Sequence, residues 1–230
     1  DNVRFEHDLK KKNWFNIGGK AKVFYKANNL IELIEFLKKL EDKEKIFILG
    51  AGSNTLITDN LFNGVVIKLS RDFNNISLLN DEIVIAGSGV LDKTLSEFAM
   101  KNNLSGFEFL SCIPGTVGGG IKMNAGCFGN EFRDILLSIQ AIDKNGKVIT
   151  ISSKDIDFGY RNNNLPDNLI FLSASFKGIK SDYKKINSQI SRYKNEKEKN
   201  QPTKIKTSGS TFKNPIQQTK KKVWELIKES

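Results

Sequence analysis

The segment Ile113–Gly129, IPGTVGGGIKMNAGCFG, constrains this chain more than any other. Of the seven residues after Ile113, four are glycine. An ordinary turn needs one or two, because glycine is costly to order and brings no side chain to a core. Such a run predicts an extended backbone pressed against a flat or charged ligand. Gly119 in particular is expected to require close backbone approach or a positive φ. Ser111, Thr116 and Asn124 offer hydrogen bonds along the same stretch. A second loop, Gly50-Ala51-Gly52-Ser53-Asn54-Thr55, follows the apolar run Lys45–Leu49. Glycines after a buried strand let successive N–H groups converge on an anion. The pattern departs from the dinucleotide fingerprint, because Thr55 stands where Gly or Ala is needed and no helical period follows. Two glycine loops in one domain point to a long ligand with a diphosphate, such as FAD.

The 230 residues suffice for one large domain or two to three small ones, and 39% hydrophobic with 27% charged residues is globular composition. Residues 1–12 read as a loosely held polar arm. Ala21–Ala27 alternates as a strand. Asn28 and Asn29 can cap a helix over Leu30–Leu40, and Lys45–Leu49 closes a β-α-β start. A strand is expected at Val65–Leu69, then a hairpin within Ile76–Ser88 about Asn80-Asp81. Leu91–Lys101 reads as an amphipathic helix. Two strands flank Lys144-Asn145-Gly146 within Leu136–Ile151, and a further strand covers Leu169–Phe176. Helices are expected at Tyr183–Asn200 and from Lys222 to Glu229, with a loop over 201–215. Many short strands with few helices give an α+β class in two or three lobes.

The formal charge is +10, supplied almost wholly by lysine; arginine occurs only at positions 4, 71, 133, 161 and 192. That field suits phosphorylated ligands. Aromatic residues are not interleaved with the basic clusters, so a nucleic-acid platform is not expected. Cys112 and Cys127 read as small buried thiols of a reducing compartment. The single His7 excludes a His-based zinc cluster and a Ser-His-Asp triad, and no metal is expected. No run of about 18 apolar residues or signal peptide is visible, so the expectation is a cytoplasmic protein without membrane contact.

Two further motifs carry chemistry. Phe158-Gly159-Tyr160-Arg161-Asn162 holds one of the five arginines, whose planar fork matches carboxylate or enolate oxygens. Taken alone it reads first as a surface arginine. In Ser208-Gly209-Ser210-Thr211-Phe212-Lys213-Asn214-Pro215, glycine exposes the Ser210 hydroxyl. No histidine activates it as a nucleophile, so proton donation fits better than acyl transfer.

GAGSNTLITD, IPGTVGGGIKMNAGCFG, FGYRNN and SGSTFKNP, in this order, resemble the UDP-N-acetylenolpyruvoylglucosamine reductases, as does NWFNIGGKA at Asn13–Ala21. The resemblance spans nearly the whole chain. It implies the vanillyl-alcohol-oxidase-like (PCMH-type) FAD-binding fold. FAD-binding lobes are then expected over residues 1–60 and 61–178, with a substrate lobe over 179–230. The short stretch between Arg161 and Ser210 is similar to the subclass lacking an extra substrate-covering loop. FAD would be held by Gly50, Ala51, Gly52, Ser53, Asn54 and Thr55, and by Pro114, Gly115, Thr116, Gly118, Gly119, Asn124 and Gly126. Arg161 would sit beside the enolpyruvyl carboxylate and Ser210 would donate the proton. Tyr160, Lys213 and Asn214 would lie near the substrate. The implied activity is hydride transfer from NADPH through FAD to the enolpyruvyl ether of a UDP-sugar, by a monomer serving peptidoglycan synthesis. The family's catalytic glutamate belongs to a later segment than Glu229. The chain ends at Ser230 and begins at Asp1, so it is expected to be incomplete. The alternatives are an FAD oxidoreductase with another substrate and a non-catalytic flavin-binding fragment.

Overall fold

The computed structural model describes residues 2–200, 212–215, 218, 219, 221 and 223–230. A first sheet is built by β1 (Val3–Asp8), β2 (Lys20–Ala27), β3 (Ile46–Ile48) and β4 (Phe62–Leu69), in the order β1-β2-β4-β3. β2, β4 and β3 run parallel, and β1 is antiparallel on the edge. The expected N-terminal arm is therefore a strand. Its side chains are mostly exposed, so backbone pairing with the free edge of β2 forms it without an apolar pattern that would betray it. β4 begins at Phe62, and the first sheet extends past residue 60, where its lobe was expected to end.

Between β2 and β3 lies α1 (Leu30–Leu37). The Asn29 side chain accepts from the Glu32 N–H at 2.9 Å and satisfies one of the orphan donors of the first turn. The helix stops three residues short of Leu40, with Leu33 and Leu37 buried against the sheet.

A second sheet follows. β5 (Ile76–Leu78) and β6 (Ile83–Gly87) form the expected hairpin, and α2 (Asp92–Lys101) leads to the short β7 (Leu104–Ser105). α3 (Val117–Lys122) occupies the glycine-rich segment that was expected to be extended. The glycines there serve close packing of a helix, which an extended chain would not provide. β8 (Gly126–Cys127), β9 (Asn130–Glu131) and α4 (Phe132–Ile135) come next, then β10 (Leu136–Ile142), β11 (Val148–Ser152), β12 (Ile170–Lys177) and β13 (Ile179–Lys180). The sheet order is β11-β10-β12-β6-β5, antiparallel throughout. The β10–β11 turn is set by Gly146 at φ +82° and by the Asp143 carboxylate, which accepts from the Asn145 and Lys147 N–H groups at 2.9 Å. The chain continues through α5 (Tyr183–Asn200) to α6 (Val223–Glu229). Among the described residues no helix is long and apolar enough to cross a membrane.

The two sheets share a core. Ile142, Ile170 and Leu172 of the second pack with Tyr25, Leu33, Leu37 and Leu69 of the first. A separate core within the second lobe surrounds α2, α3 and α4, with Phe107, Phe109, Phe132 and Phe176 at most 1% exposed.

Phe132 lies on α3 where Gly120 has no side chain; a Cβ there would come within 2.2 Å of the ring. Gly120→Ala should destabilise the fold by about 1–3 kcal/mol, the usual range for overpacking. Urea unfolding of the single variants and of Gly120→Ala with Phe132→Leu provides the check. The double variant should lose less than the sum of its parts. Strict additivity would show that this contact is not the cause.

Candidate active site

A cavity of about 1500 Å³ opens between the loops of the two sheets. Every residue from Gly50 to Thr55 lines it. The loop leaves β3 through Leu49, and its left-handed residue is Gly52, at φ +70°. The Trp14 N–H donates to the Gly52 carbonyl at 3.1 Å and pins the loop to the N-terminal segment. Pro114, Gly115 and Thr116 line the cavity from the other side, with Gly118 and Gly119 of α3 and with Asn124 and Gly126 beyond it. The two loops touch, since a Cβ on Gly50 would meet Thr116 Oγ1 at 2.6 Å.

Gly119 does not have a positive φ, so of its two expected requirements close approach is the one left. A Cβ there would meet only Thr116 Oγ1, at 3.5 Å, so its missing side chain keeps the cavity wall flat. By contrast Gly115 and Gly118 are filled by the protein itself. Their Cβ atoms would meet Asp92 Oδ2 at 2.5 Å and Ser88 Cβ at 2.9 Å.

Tyr160 and Arg161 also line the cavity. They form the centre of a two-residue turn in which Gly159 N–H donates to the Asn162 carbonyl at 3.0 Å and Asn162 N–H to that of Gly159 at 3.3 Å. Arg161 has φ +57°, a left-handed conformation that a side chain disfavours. Its guanidinium carbon lies 5.6 Å from the Tyr160 ring centroid. The turn is anchored to the second glycine segment. Buried Asn163 donates to the Ile121 carbonyl at 3.4 Å, and Asn124 donates to the Gly159 carbonyl at 3.5 Å. Asn124 also donates to Glu131 Oε2 at 2.8 Å and accepts from the Arg133 N–H at 3.1 Å. Its amide is thus engaged within the protein, although it was expected to face a ligand.

Asn214 joins this corner. Its N–H donates to the Tyr160 hydroxyl at 3.4 Å, and its side chain accepts from the Val223 N–H at 3.1 Å at the start of α6. Lys213 is exposed and does not line the cavity. Ser210 lies outside the described residues. Ser111 stands apart from the cavity, its hydroxyl donating to the Glu108 carbonyl at 2.7 Å.

Four cavity residues escaped sequence reasoning. Lys68 on β4 and Lys122 on α3 are cations in or beside apolar runs. Ser88 and Asp92 are buried polar residues whose side-chain oxygens find no hydrogen-bond partner among the described residues. The Asp92 carboxyl is wholly buried, and that burial raises its pKa well above the ordinary carboxylate value. Cys112 and Cys127 are free thiols. Burial, reinforced by Cys112 and opposed by Lys197, pushes the Cys127 thiol up to about 12. It stays protonated and is no nucleophile. Among the described residues no cluster of three or more His, Cys, Asp or Glu side chains could hold a metal.

The arrangement fits a flavin dinucleotide. It offers a wall without a side chain at Gly119, the Gly50–Thr55 loop along its other side, and orphaned Ser88 and Asp92 oxygens that need polar partners.

The Asp92 carboxyl makes a testable link to pH. Its folded pKa is raised, so the native state holds a proton that the unfolded state gives up above about pH 4. Stability from this group is present below that pH and is lost as pH rises toward the folded pKa. Asp92→Asn should remove this fall, so its stability relative to the parent should improve steadily above about pH 4. Denaturant titrations across pH test it, and parallel pH profiles would reject it.

A model of the FAD binding domain family matches residues 21–152. UDP-N-acetylenolpyruvoylglucosamine reductase of Pelagibacter ubique is 62% identical over 228 residues, covering 99% of this chain and 76% of that protein. The enzyme of the same name from Rickettsia conorii is 45% identical over 222 residues, covering 96% and 74%. The crystal structure of UDP-N-acetylenolpyruvylglucosamine reductase (MurB) from Thermus caldophilus superposes with a TM-score of 0.85 at 29% identity, covering 99% of this chain and 80% of that one. With both glycine loops, the Arg161 turn and the two-sheet architecture arranged in this way, the chain belongs to the UDP-N-acetylenolpyruvoylglucosamine reductase family.

Proposed function

We propose that the protein reduces the enolpyruvyl ether of UDP-N-acetylglucosamine to UDP-N-acetylmuramate in peptidoglycan synthesis, using FAD and NADPH. The observation that carries this reading is the single cavity with both glycine loops on its walls and Tyr160-Arg161 on its rim. The kinship with the Pelagibacter enzyme supplies the substrate class. A monomer in the cytoplasm, without nucleic-acid or membrane contact, belongs to the same reading.

Bound FAD would supply the hydride relay between NADPH and the enolpyruvyl ether. Gly50 to Thr55 and Pro114 to Gly119 hold it through backbone groups, with Gly126 beside them. Asn124 acts at one remove, through Glu131, Arg133 and the Gly159 carbonyl. Arg161 orients the substrate carboxylate and stabilises the negative charge that develops there. Its strained backbone is consistent with a side chain held for that task, since a left-handed non-glycine residue costs on the order of 1–3 kcal/mol. Tyr160 flanks the guanidinium and its hydroxyl accepts from the Asn214 N–H; the nucleotide is assigned to Lys213 and Asn214 on family resemblance. Ser210 Oγ is assigned the proton that completes the reduction, on family resemblance alone.

The direct test is optical. The purified protein should be yellow, bleach with NADPH, and regain its colour when the enolpyruvyl substrate is added. Acid denaturation should release the flavin into the supernatant, because the Cys127 thiol is not ionised to attack it. Protein that stays colourless with added FAD would sink the reading. Colour retained by the pellet would reject non-covalent binding.

Arg161→Lys keeps one charge and loses the bidentate fork. The step in which substrate reoxidises the flavin should slow by about 10- to 150-fold, matching roughly 1.5–3 kcal/mol for a charge-assisted contact. Reduction by NADPH should be nearly unchanged. Stopped-flow absorbance separates the two halves, and equal damage to both would contradict the assignment.

A further inference from the structure

We propose that Lys68 is the cation that receives the diphosphate of bound FAD. The assignment rests on the FAD reading above and adds a residue outside both glycine loops.

Lys68 lies near the end of β4, in a strand whose core residues Val65, Val66 and Ile67 are buried. Its side chain is half-buried and lines the cavity. The ammonium donates to the carbonyl of Gly50, the first residue of the glycine loop, at 3.1 Å. That bond uses one of three donors. Two donors remain, beside a cavity that the whole of the Gly50–Thr55 loop lines.

The charges around the cavity single Lys68 out. Six carboxylates line it. Asp42 pairs with Lys144 at 3.0 Å and Glu44 with Lys22 at 3.6 Å. Asp167 pairs with Lys122 at 2.7 Å. Glu131 and Asp134 share Arg133, at 2.8 and 4.0 Å. Asp92 is wholly buried, and that burial raises its pKa well above the ordinary carboxylate value. No carboxylate among the described residues comes within ion-pair distance of Lys68. Burial lowers its pKa, and Lys12 and then Lys26 lower it further. An uncompensated cation in a half-buried site is unfavourable until an anion joins it. The anionic group of FAD is its diphosphate, and Lys68 stands at the loop suited to bind one.

The test compares ligands with and without phosphate. Flavin-depleted protein is titrated with FAD and with riboflavin, following flavin fluorescence, in the parent, Lys68→Met and Lys68→Arg. Lys68→Met should weaken FAD by about tenfold or more at low salt while riboflavin changes by less than about twofold. The FAD deficit should shrink at high salt, and Lys68→Arg should restore most of the affinity. Equal weakening of FAD and riboflavin would show that Lys68 only shapes the Gly50 loop and would overturn the proposal. So would unchanged FAD affinity, including the case in which only the NADPH concentration dependence shifts. If Lys68→Met does not fold, the arginine variant still decides, because it must bind FAD to within a few-fold of the parent. A parent that binds no FAD at all overturns the cofactor reading itself, whereas a parent that binds FAD with an unaffected Met variant overturns only the Lys68 assignment.

Discussion

The close approach of Gly50 to Thr116 is the contact on which the rest of the site depends. Gly50 follows β3 of the first sheet and Thr116 precedes α3, and they meet where a Cβ would sit only 2.6 Å from a hydroxyl. Behind them, Ile142, Ile170 and Leu172 pack on Tyr25, Leu33 and Leu69, so the two sheets share one apolar core. Burial of that core supplies the non-directional force that holds the lobes. The glycine contact then sets how wide the mouth between them stands. Any larger residue at position 50 would push the loops apart and change the cavity without touching its chemistry.

The interior of the cavity is chemically quiet except where an anion is wanted. Its acids are paired with cations or, at Asp92, buried with a raised pKa, and its thiol is held far from ionisation. The remaining groups include Lys68 and an arginine on a strained turn. Asn124 ties these parts together. It reaches from the second glycine segment to the turn carrying Arg161, so these two parts of the cavity wall share one hydrogen-bonded brace.

Much of this was legible in the sequence. The hairpins about Asn80-Asp81 and Lys144-Asn145-Gly146 were visible because turn chemistry is local. Tyr183–Asn200 was visible because its period is helical and long. The residues from Gly50 to Thr55 line one cavity with those from Pro114 to Gly126, save Val117 and Ile121, which turn into the core. What escaped is non-local. Strand Val3–Asp8 exists because β2 offers an edge, not because its side chains alternate. The run after Ile113 is partly helical because Phe132 and Ser88 press on its glycines, and both come from elsewhere in the chain. Asp92 reads as an ordinary acidic helix start. Its burial beneath Gly115 appears only once the two segments are brought together. Lys68 is one cation in a lysine-rich chain until the strand and loop are placed.

The sheet order has a consequence for synthesis on the ribosome. β12 pairs with β6 on one side and β10 on the other, so residues 83–87 find their partners at 173–177. Until β12 has left the exit tunnel, β6 and β10 each present an unpaired edge, and the wall that carries α3 lacks its backing. The cavity wall is therefore completed only after that strand has emerged, and capture of a ligand must follow it. A pause in translation before residue 170 would leave the hydrophobic faces of both neighbours open to chaperones and to aggregation.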